Sequence, residues 1–166
     1  MNESDIRLLK AAIEAAKRSV DNGNMPFGAV LADSEGNILL EGENTGLTER
    51  DCTGHAETNL MRQASRKYDP DVLASCTLYT SAEPCAMCAG AIFWGNVNRV
   101  VYALDIESLY TIIKDHPDNP SLFMHASEVL ARATRPIEVV GPAPELLDEA
   151  TAVQVDYWGS LPGGTS

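Results

Sequence analysis

The chain has 166 residues, enough for one domain with its own hydrophobic core. Apolar residues make up 45% and charged residues 22%, which is typical of a folded globular protein and excludes a largely disordered one. The formal net charge of −12 repels the phosphates of tRNA or DNA, so nucleic acid is not an expected partner. No apolar run approaches the ~20 residues that cross a bilayer, so a membrane is not expected either.

The first half of the chain predicts a helix, a hairpin and a second helix. Apolar residues step by three and four between Ile6 and Val20, which predicts an amphipathic helix capped by Ser4. Strands are predicted at Phe27–Ala32 and Ile38–Leu40, joined by a turn. A polar loop over residues 43–54 follows, and a helix is predicted from about residue 54 to residue 66.

The second half continues this alternation. Its predicted elements are strand Cys76–Thr80, helix Pro84–Trp94, strand Arg99–Ala103, strand Ile137–Val140 and helix Pro144–Tyr157. Residues 105–135 give no clear assignment beyond a helical patch from Ile106 to Ile113. The predicted class is therefore α/β, a three-layer α/β/α sandwich with a five-stranded mixed sheet. Residues 1–158 are predicted to form this single domain and residues 159–166 a flexible tail.

The N-terminus and the cysteines indicate a reducing compartment. The first ten residues, MNESDIRLLK, lack the apolar core of a secretory signal, which predicts a cytoplasmic protein. The four cysteines are then expected as metal ligands or buried thiols rather than as disulfides. Cys76, at the start of a predicted strand, is expected simply to be buried.

Two short segments, residues 55–57 and residues 84–88, carry the residue types of a zinc site. Cys85 and Cys88 lie three apart on the first turn of a predicted helix, where both side chains project to one side. The positive end of the helix dipole also favours thiolates there. His55, at the start of the facing helix, completes three ligands for one Zn²⁺ per subunit, with a fourth position open to water.

Glu57 is predicted to be the catalytic residue. Two positions beyond His55, its carboxylate is expected beside the metal, where it can take a proton from water and return it to a substrate nitrogen. The order H-x-E followed by P-C-x-x-C is the signature of zinc-dependent deaminases. The pattern therefore predicts a zinc-dependent aminohydrolase that releases ammonia.

Two alternatives remain open from the residues. Cys52 lies three residues before His55, so Cys52, His55, Cys85 and Cys88 would make a closed four-ligand site that leaves Glu57 without a role. The position of Cys52 in a polar loop favours the open site. The other alternative is a zinc-binding domain without catalysis.

At these residues the chain resembles the cytidine and deoxycytidylate deaminase superfamily, and most closely bacterial guanine deaminases and tRNA adenosine deaminases. The resemblance runs from about residue 5 to residue 103 and rests on Met25–Val30, Asn44, His55–Glu57 and Leu78–Trp94. It implies a five-stranded sheet between helices, one catalytic zinc and a homodimer. It also implies a small-molecule substrate, a free nucleobase or nucleoside.

The resemblance further implies substrate contacts. Asn44 matches a loop asparagine that hydrogen-bonds the base, Phe27 an aromatic residue that packs on its ring, and Ala56 a backbone N–H that meets a substrate carbonyl. From the residues alone, Asn44 could be a turn residue and Phe27 plain strand core. Tyr157 and Trp158 resemble the C-terminal aromatic that closes the site in guanine and cytosine deaminases.

Departures from the family pattern concern the substrate. Residues 51–54 read DCTG where members often carry Asp-Pro-Thr, and the Phe-Asp-Asp setting of guanine deaminases is not found. Asp115 and Asp118 are the candidates for the missing acid near a purine. Guanine is the leading expected substrate and cytosine, or a cytosine-like base, is second. Adenosine in tRNA is third because the last predicted helix is acidic.

Overall fold

The fold alternates strands and helices, and the computed structural model describes residues 1–114 and 121–161. Its strands are β1 (Gly28–Ala32), β2 (Ile38–Glu43), β3 (Thr77–Ala82), β4 (Arg99–Leu104) and β5 (Glu138–Val140). Its helices are α1 (Glu3–Asp21), α2 (Ala56–Lys67), α3 (Pro70–Ala74), α4 (Ala86–Trp94), α5 (Ile106–Ile113), α6 (Ala126–Leu130) and α7 (Leu147–Ser160). Within the described ranges, no helix combines the length and apolarity that a membrane span requires.

The five strands form one mixed sheet in the order β2-β1-β3-β4-β5, which confirms the predicted fold class. Strand β1 is antiparallel to both of its neighbours, whereas β3, β4 and β5 are parallel. The carboxyl ends of β3 and β4 therefore lie at the same edge of the sheet. Ligand sites of α/β sheets form at such an edge, and the chain passes there from β3 into α4 and from β4 into α5.

Helices cover both faces of the sheet. Val30 and Ala32 of β1 belong to the core under α1, α5 and α7, whereas Ala29 and Leu31 belong to the core under α2 and α4. Such alternation follows from the strand geometry, because successive side chains point to opposite faces. The three-layer arrangement predicted from the sequence is thereby confirmed.

The boundaries of the first and last helices differ from the prediction. Asn2, not Ser4, caps α1, because its side chain accepts from the Asp5 N–H (2.9 Å) while the Asp5 carboxylate accepts from the Asn2 N–H (3.0 Å). Helix α7 begins after a 3₁₀ turn at Pro144–Leu146 and ends at Ser160, three residues beyond the predicted end. Residues 162–166 of the predicted tail lie outside the described residues.

The middle of the chain also differs at particular elements. Helix α4 begins at Ala86 rather than at Pro84, because Cys85 is still extended (ψ 170°) and acts as the N-cap. The short helices α3 and α6 were not predicted, since five residues are too few for a periodic pattern. Cys76 is buried, as predicted, and its thiol donates to the Val72 carbonyl (3.2 Å).

A buried carboxylate joins α1 to the sheet. Asp5 is 2% exposed and accepts hydrogen bonds from the Tyr79 hydroxyl (3.0 Å) and from both terminal nitrogens of Arg99 (2.8 and 3.1 Å). Burial alone would raise the pKa of Asp5, but the bonds from Arg99, Asn2 and Tyr79 outweigh it and lower the pKa below 3.8. The folded state therefore favours the ionised carboxylate.

We predict that Asp5→Asn lowers the free energy of unfolding at pH 7 by about 2–3 kcal/mol, because Arg99 loses a partly buried charged partner. The lowered pKa means that this contribution is present above about pH 4 and is lost as the pH falls through the folded pKa. Urea denaturation at pH 7 and pH 3 should show the difference between wild type and variant narrowing in acid. Glu138→Gln removes the exposed partner of Arg99 and is the control. Equal stability of the two variants at pH 7 would contradict the assignment.

Candidate active site

The starts of α2 and α4 bring the predicted metal ligands together. His55 and Cys85 are the N-cap residues of these two helices, and Cys88 lies in the first turn of α4. Both N-caps have extended backbones, with ψ of 152° at His55 and 170° at Cys85. Because α2 and α4 pack against the same face of the sheet, the two helix starts meet beside the carboxyl end of β3.

The donor atoms have the separations of a tetrahedral zinc site. The Nδ1 atom of His55 lies 3.5 Å from the Sγ atoms of both Cys85 and Cys88, and the two sulfurs lie 3.6 Å apart. Zn–S bonds of about 2.3 Å and Zn–N bonds of about 2.0 Å in a tetrahedron require ligand separations of roughly 3.5–3.8 Å. The cluster is therefore compatible with Zn²⁺ in both donor type and spacing.

The cluster has three members in the part of the chain that the structure describes. His55, Cys85 and Cys88 form the group, and Cys52 is not part of it. The thiol of Cys52 is free, and this exposed residue lines the cavity next to the cluster. The geometry therefore favours the open, three-ligand arrangement over the closed four-ligand alternative.

The two thiols differ in their protonation. The hydrogen bond from the Cys88 thiol, opposed by burial and assisted by His55, lowers the pKa of Cys85 to about 4. The same bond to Cys85, together with burial, raises the pKa of Cys88 well above 9.0. The hydrogen bond with Cys85 also raises the pKa of His55. The pair thus shares one proton, whose place a divalent cation can take.

Glu57 lies beside the cluster, in the first turn of α2. The residue is 5% exposed, and its Oε2 atom lies 3.4 Å from the Cys88 sulfur, while Oε1 accepts from the Thr80 hydroxyl (3.1 Å). Burial first, and then the charge of Cys85, raise the pKa of this carboxyl. A carboxyl of raised pKa next to a metal site can hold and release a proton. Sequence reasoning had no signal for Thr80, which reaches Glu57 from β3.

A cavity of about 420 Å³ opens over the cluster. Its polar side contains His55, Glu57, Cys85 and Glu83. Its other lining residues are largely apolar: Met25, Phe27, Cys52, Met87, Ile106, Leu109, Tyr110, Ile113, Ser121, Leu122 and Phe123. None of the described residues that line it is a lysine or arginine. The cavity therefore suits an uncharged, flat ring with one polar edge.

Three predicted substrate residues lie at or near this cavity. Phe27 lines it, as a ring-packing residue would. Asn44 is buried, and its Oδ1 accepts from the Gly46 N–H (2.9 Å), which is the turn role that the residues alone suggested. Its side-chain amide donates to none of the described residues. Ala56 is fully buried as the first residue of α2 and, like Asn44, is not among the lining residues.

Tyr157 and Trp158, the C-terminal candidates for substrate contact, are not among the described residues that line the cavity. Trp158 is 5% exposed in the core under α1 and α7, and its Nε1 donates to Gln154 (3.0 Å), which in turn donates to the Pro26 carbonyl (2.7 Å). Tyr157 packs against the same core. Trp158 is thus linked through Gln154 to the residue that precedes Phe27. Asp115 and Asp118 lie outside the described residues.

Comparison with known proteins identifies the class. Residues 2–104 match the cytidine and deoxycytidylate deaminase zinc-binding region, and the chain belongs to this family. It is therefore a deaminase of the cytidine deaminase superfamily. Its homologues in this superfamily are zinc-dependent hydrolytic deaminases.

Individual relatives differ in the base named for them. A probable cytosine deaminase from Schizosaccharomyces pombe is 36% identical over 158 residues, covering 95% of this chain and 94% of that protein. A guanine deaminase from Bacillus subtilis is 43% identical over 98 residues, covering 58% of this chain and 62% of that protein. A solved guanine deaminase from Nitrosomonas europaea has a TM-score of 0.70 at 28% identity, covering 90% of this chain and 82% of that one.

We predict that Cys52→Ser binds zinc as tightly as the wild type, whereas Cys85→Ser loses most of its bound zinc. The reason is that Cys85 belongs to the donor group and Cys52 does not. The zinc content of both variants and of the wild type is measured after dialysis by inductively coupled plasma mass spectrometry. Because both variants replace a cysteine with serine, each is the matched control for the other. A clear loss of zinc in Cys52→Ser would restore the four-ligand alternative.

Proposed function

We propose that the chain is a zinc-dependent hydrolytic deaminase of a free nucleobase or nucleoside, with guanine as the leading substrate. The observation that carries this proposal is the position of Glu57, a buried carboxyl that lies beside the three-donor cluster and lines the same cavity. A purely structural zinc site has no use for a carboxyl of raised pKa facing a cavity. A hydrolytic deaminase needs such a group to move protons.

In this proposal His55, Cys85 and Cys88 hold one Zn²⁺ per subunit. When bound, zinc supplies the Lewis acidity that lowers the pKa of a water at the site towards ~7. The positive ends of the α2 and α4 dipoles stabilise the thiolates. The three side chains leave the cavity side of the cluster open to water and substrate.

Glu57 moves the protons of the reaction. Oε2 lies 3.4 Å from the Cys88 sulfur, so it is the carboxyl oxygen on the side of the donor cluster. In this role it takes a proton from water and passes it to the ring nitrogen next to the amino-bearing carbon. Oε2 then takes the proton of the new hydroxyl group on the ring carbon and passes it to the amino group, which can leave as neutral ammonia. Water thus adds across the carbon–nitrogen bond, ammonia departs, and the ring carbon keeps the oxygen.

The substrate is bound by few contacts. Phe27 packs on the ring from the cavity wall, and the unbonded side-chain amide of Asn44 donates to the base. The N–H of Ala56, at the start of α2, donates to a ring carbonyl. Tyr157 and Trp158 act on the site indirectly, by packing against the core beneath Phe27. Asp115 remains the candidate acid for a purine edge.

The charge of the site supports an uncharged substrate. Its described lining has carboxyl groups at Glu57 and Glu83 and neither lysine nor arginine, so it offers no side chain suited to a phosphate group. The net charge of −12 disfavours tRNA because it repels phosphates. Guanine is supported by the similarity to guanine deaminases. Cytosine is the second candidate because the S. pombe relative matches almost the whole chain.

We further propose a cytoplasmic homodimer. Trp94, at the end of α4, is 84% exposed and lies edge-on to Phe93 (5.1 Å between ring centroids). An exposed tryptophan that lies on a half-buried phenylalanine suits a surface that is covered by a second copy. Because α4 also carries Cys88, such a contact would stabilise the helix that bears a zinc ligand.

We predict that Glu57→Gln retains its zinc but loses deaminase activity by about 10²–10⁴-fold, because glutamine keeps the shape of the side chain and cannot transfer a proton. The measurement is ammonia release together with metal content. Glu145→Gln, the same change at an exposed site, is the control and should leave the activity unchanged. Full turnover by zinc-loaded Glu57→Gln would refute the proposed role.

We also predict the order of substrates in a panel: guanine first, cytosine second, and nucleoside monophosphates inactive. The physical reason is the largely apolar lining of the cavity, whose described residues include two glutamates and no lysine or arginine that could bind a phosphate. Initial rates of ammonia release with each compound test the order. Faster turnover of a monophosphate than of its free base, or a gel shift with tRNA at physiological salt, would contradict the assignment.

A further inference from the structure

Glu83 is a buried carboxylate that the proposed chemistry does not use. It directly follows β3 and precedes the Pro84-Cys85 turn that carries a predicted zinc ligand. The residue is 6% exposed and lines the cavity. Its own N–H donates to the Leu104 carbonyl at the end of β4 (2.7 Å), so its backbone is fixed to the sheet edge.

The carboxylate of Glu83 bonds to the starts of two helices. Oε2 accepts from the N–H of Ile106 (3.0 Å), the first residue of α5, and Oε1 accepts from the N–H of Ala126 (2.9 Å), the first residue of α6. The first N–H groups of a helix have no partner within the helix, and the helix dipole favours a negative charge there. One carboxylate therefore accepts from the first N–H group of each of the two helices.

His125 completes the contacts of this carboxylate. Its Nδ1 lies 3.2 Å from Oε2 of Glu83, and its Nε2 lies 3.6 Å from the exposed Glu107. Burial lowers the pKa of His125, but the bond to Glu83 and the charges of Glu107 and Glu128 outweigh it, and the net effect is a raised pKa. Within the described ranges, neither lysine nor arginine pairs with Glu83, in contrast to Asp5 with Arg99.

The two helix starts position the apolar wall of the cavity. Ile106, Leu109, Tyr110 and Ile113 of α5 line the cavity, and so does the segment 121–123 that leads into α6. On the other side of Glu83, two residues along the chain, lies Cys85. The carboxylate thus joins the turn that carries the donor cluster to the wall that faces it.

We propose that Glu83 is a positioning residue that sets the spacing between the zinc-ligand turn and the substrate-contacting wall. This proposal rests on the deaminase function proposed above. The wall touches the ring equally in the ground state and in the transition state, because the bonds that change lie at Glu57 and the cluster. Loss of its position therefore removes uniform binding, which raises KM and leaves kcat nearly unchanged.

The test compares Glu83→Gln with the wild type at equal zinc content. A glutamine side chain is as long as that of glutamate but has one acceptor oxygen, so it can accept from only one of the two backbone N–H groups. Its NH₂ group would face the other N–H, and neither of these groups can accept a hydrogen bond. We expect KM for the preferred base to rise by about tenfold or more and kcat to stay within about threefold. Glu138→Gln, the same change at an exposed residue, is the control and should change neither constant. An unchanged KM, or a fall in kcat alone, would overturn the proposal.

His125→Ala provides a graded second variant. It removes the imidazole and leaves both backbone N–H groups on Glu83, so KM should rise by less than in Glu83→Gln. If His125→Ala raised KM as much as Glu83→Gln, the two helix-start bonds would carry none of the effect and the proposed role would fail.

Hydrogen exchange tests the same contacts without turnover. In zinc-loaded Glu83→Gln, the amides of Ile106 and Ala126 should exchange at least about tenfold faster than in the wild type, while amides of α1 and β1 keep their protection. Wild-type protection at both helix starts, or faster exchange throughout the protein, would refute the positioning role. If no base is deaminated by the wild type, the proposed function fails, and the exchange result still decides the role of Glu83.

Discussion

The close packing of α2 against α4 is the constraint on which the site depends. It brings the Nδ1 atom of His55 to 3.5 Å from two sulfurs that lie 30 and 33 residues further along the chain. A glycine also lets α2 lie close to the sheet. A Cβ at Gly42 of β2 would lie 2.5 Å from the Ala56 carbonyl oxygen in the first turn of α2. A side chain at this position would push away the helix start that carries His55.

The same packing concentrates acidic groups in a small volume. Two thiols and the Glu57 carboxyl lie together at the starts of two helices, next to His55. The hydrogen bond with Cys85, and then burial, raise the pKa of Cys88, whereas burial, and then the charge of Cys85, raise the pKa of Glu57. A divalent cation relieves the repulsion between the sulfurs and leaves Glu57 as the protonatable group. Cys85 therefore belongs to the donor cluster and also contributes to the raised pKa of Glu57.

The sequence predicts those features that depend on local spacing. The zinc ligands and Glu57 come from two segments of a few residues, and each strand was predicted to within three residues of its ends. The cap of α1 was missed because Asn2 and Ser4 are both suitable residues, and only the reciprocal bond with Asp5 decides between them. Trp158 resembles a site-closing aromatic by its place in the chain, but its interior position depends on the packing of α7 against α1.

Glu83 could not be predicted because its partners are distant in the sequence. Ile106 lies 23 residues away and Ala126 lies 43 residues away, and α6 has too few residues for a recognisable pattern. The acid directly before Pro84-Cys85 was the available signal, but nothing local distinguishes it from a solvated glutamate. Long-range contacts to backbone groups leave no trace in residue periodicity.

The donor cluster and the opposite wall of the cavity come from different parts of the chain. The family match covers residues 2–104 and contains the donor cluster and Glu57, whereas the cavity-lining residues of α5 and of the segment 121–123 follow it. Glu83 connects the two parts. It lies within residues 2–104, and its carboxylate accepts hydrogen bonds from the N–H groups of Ile106 and Ala126, which lie beyond them.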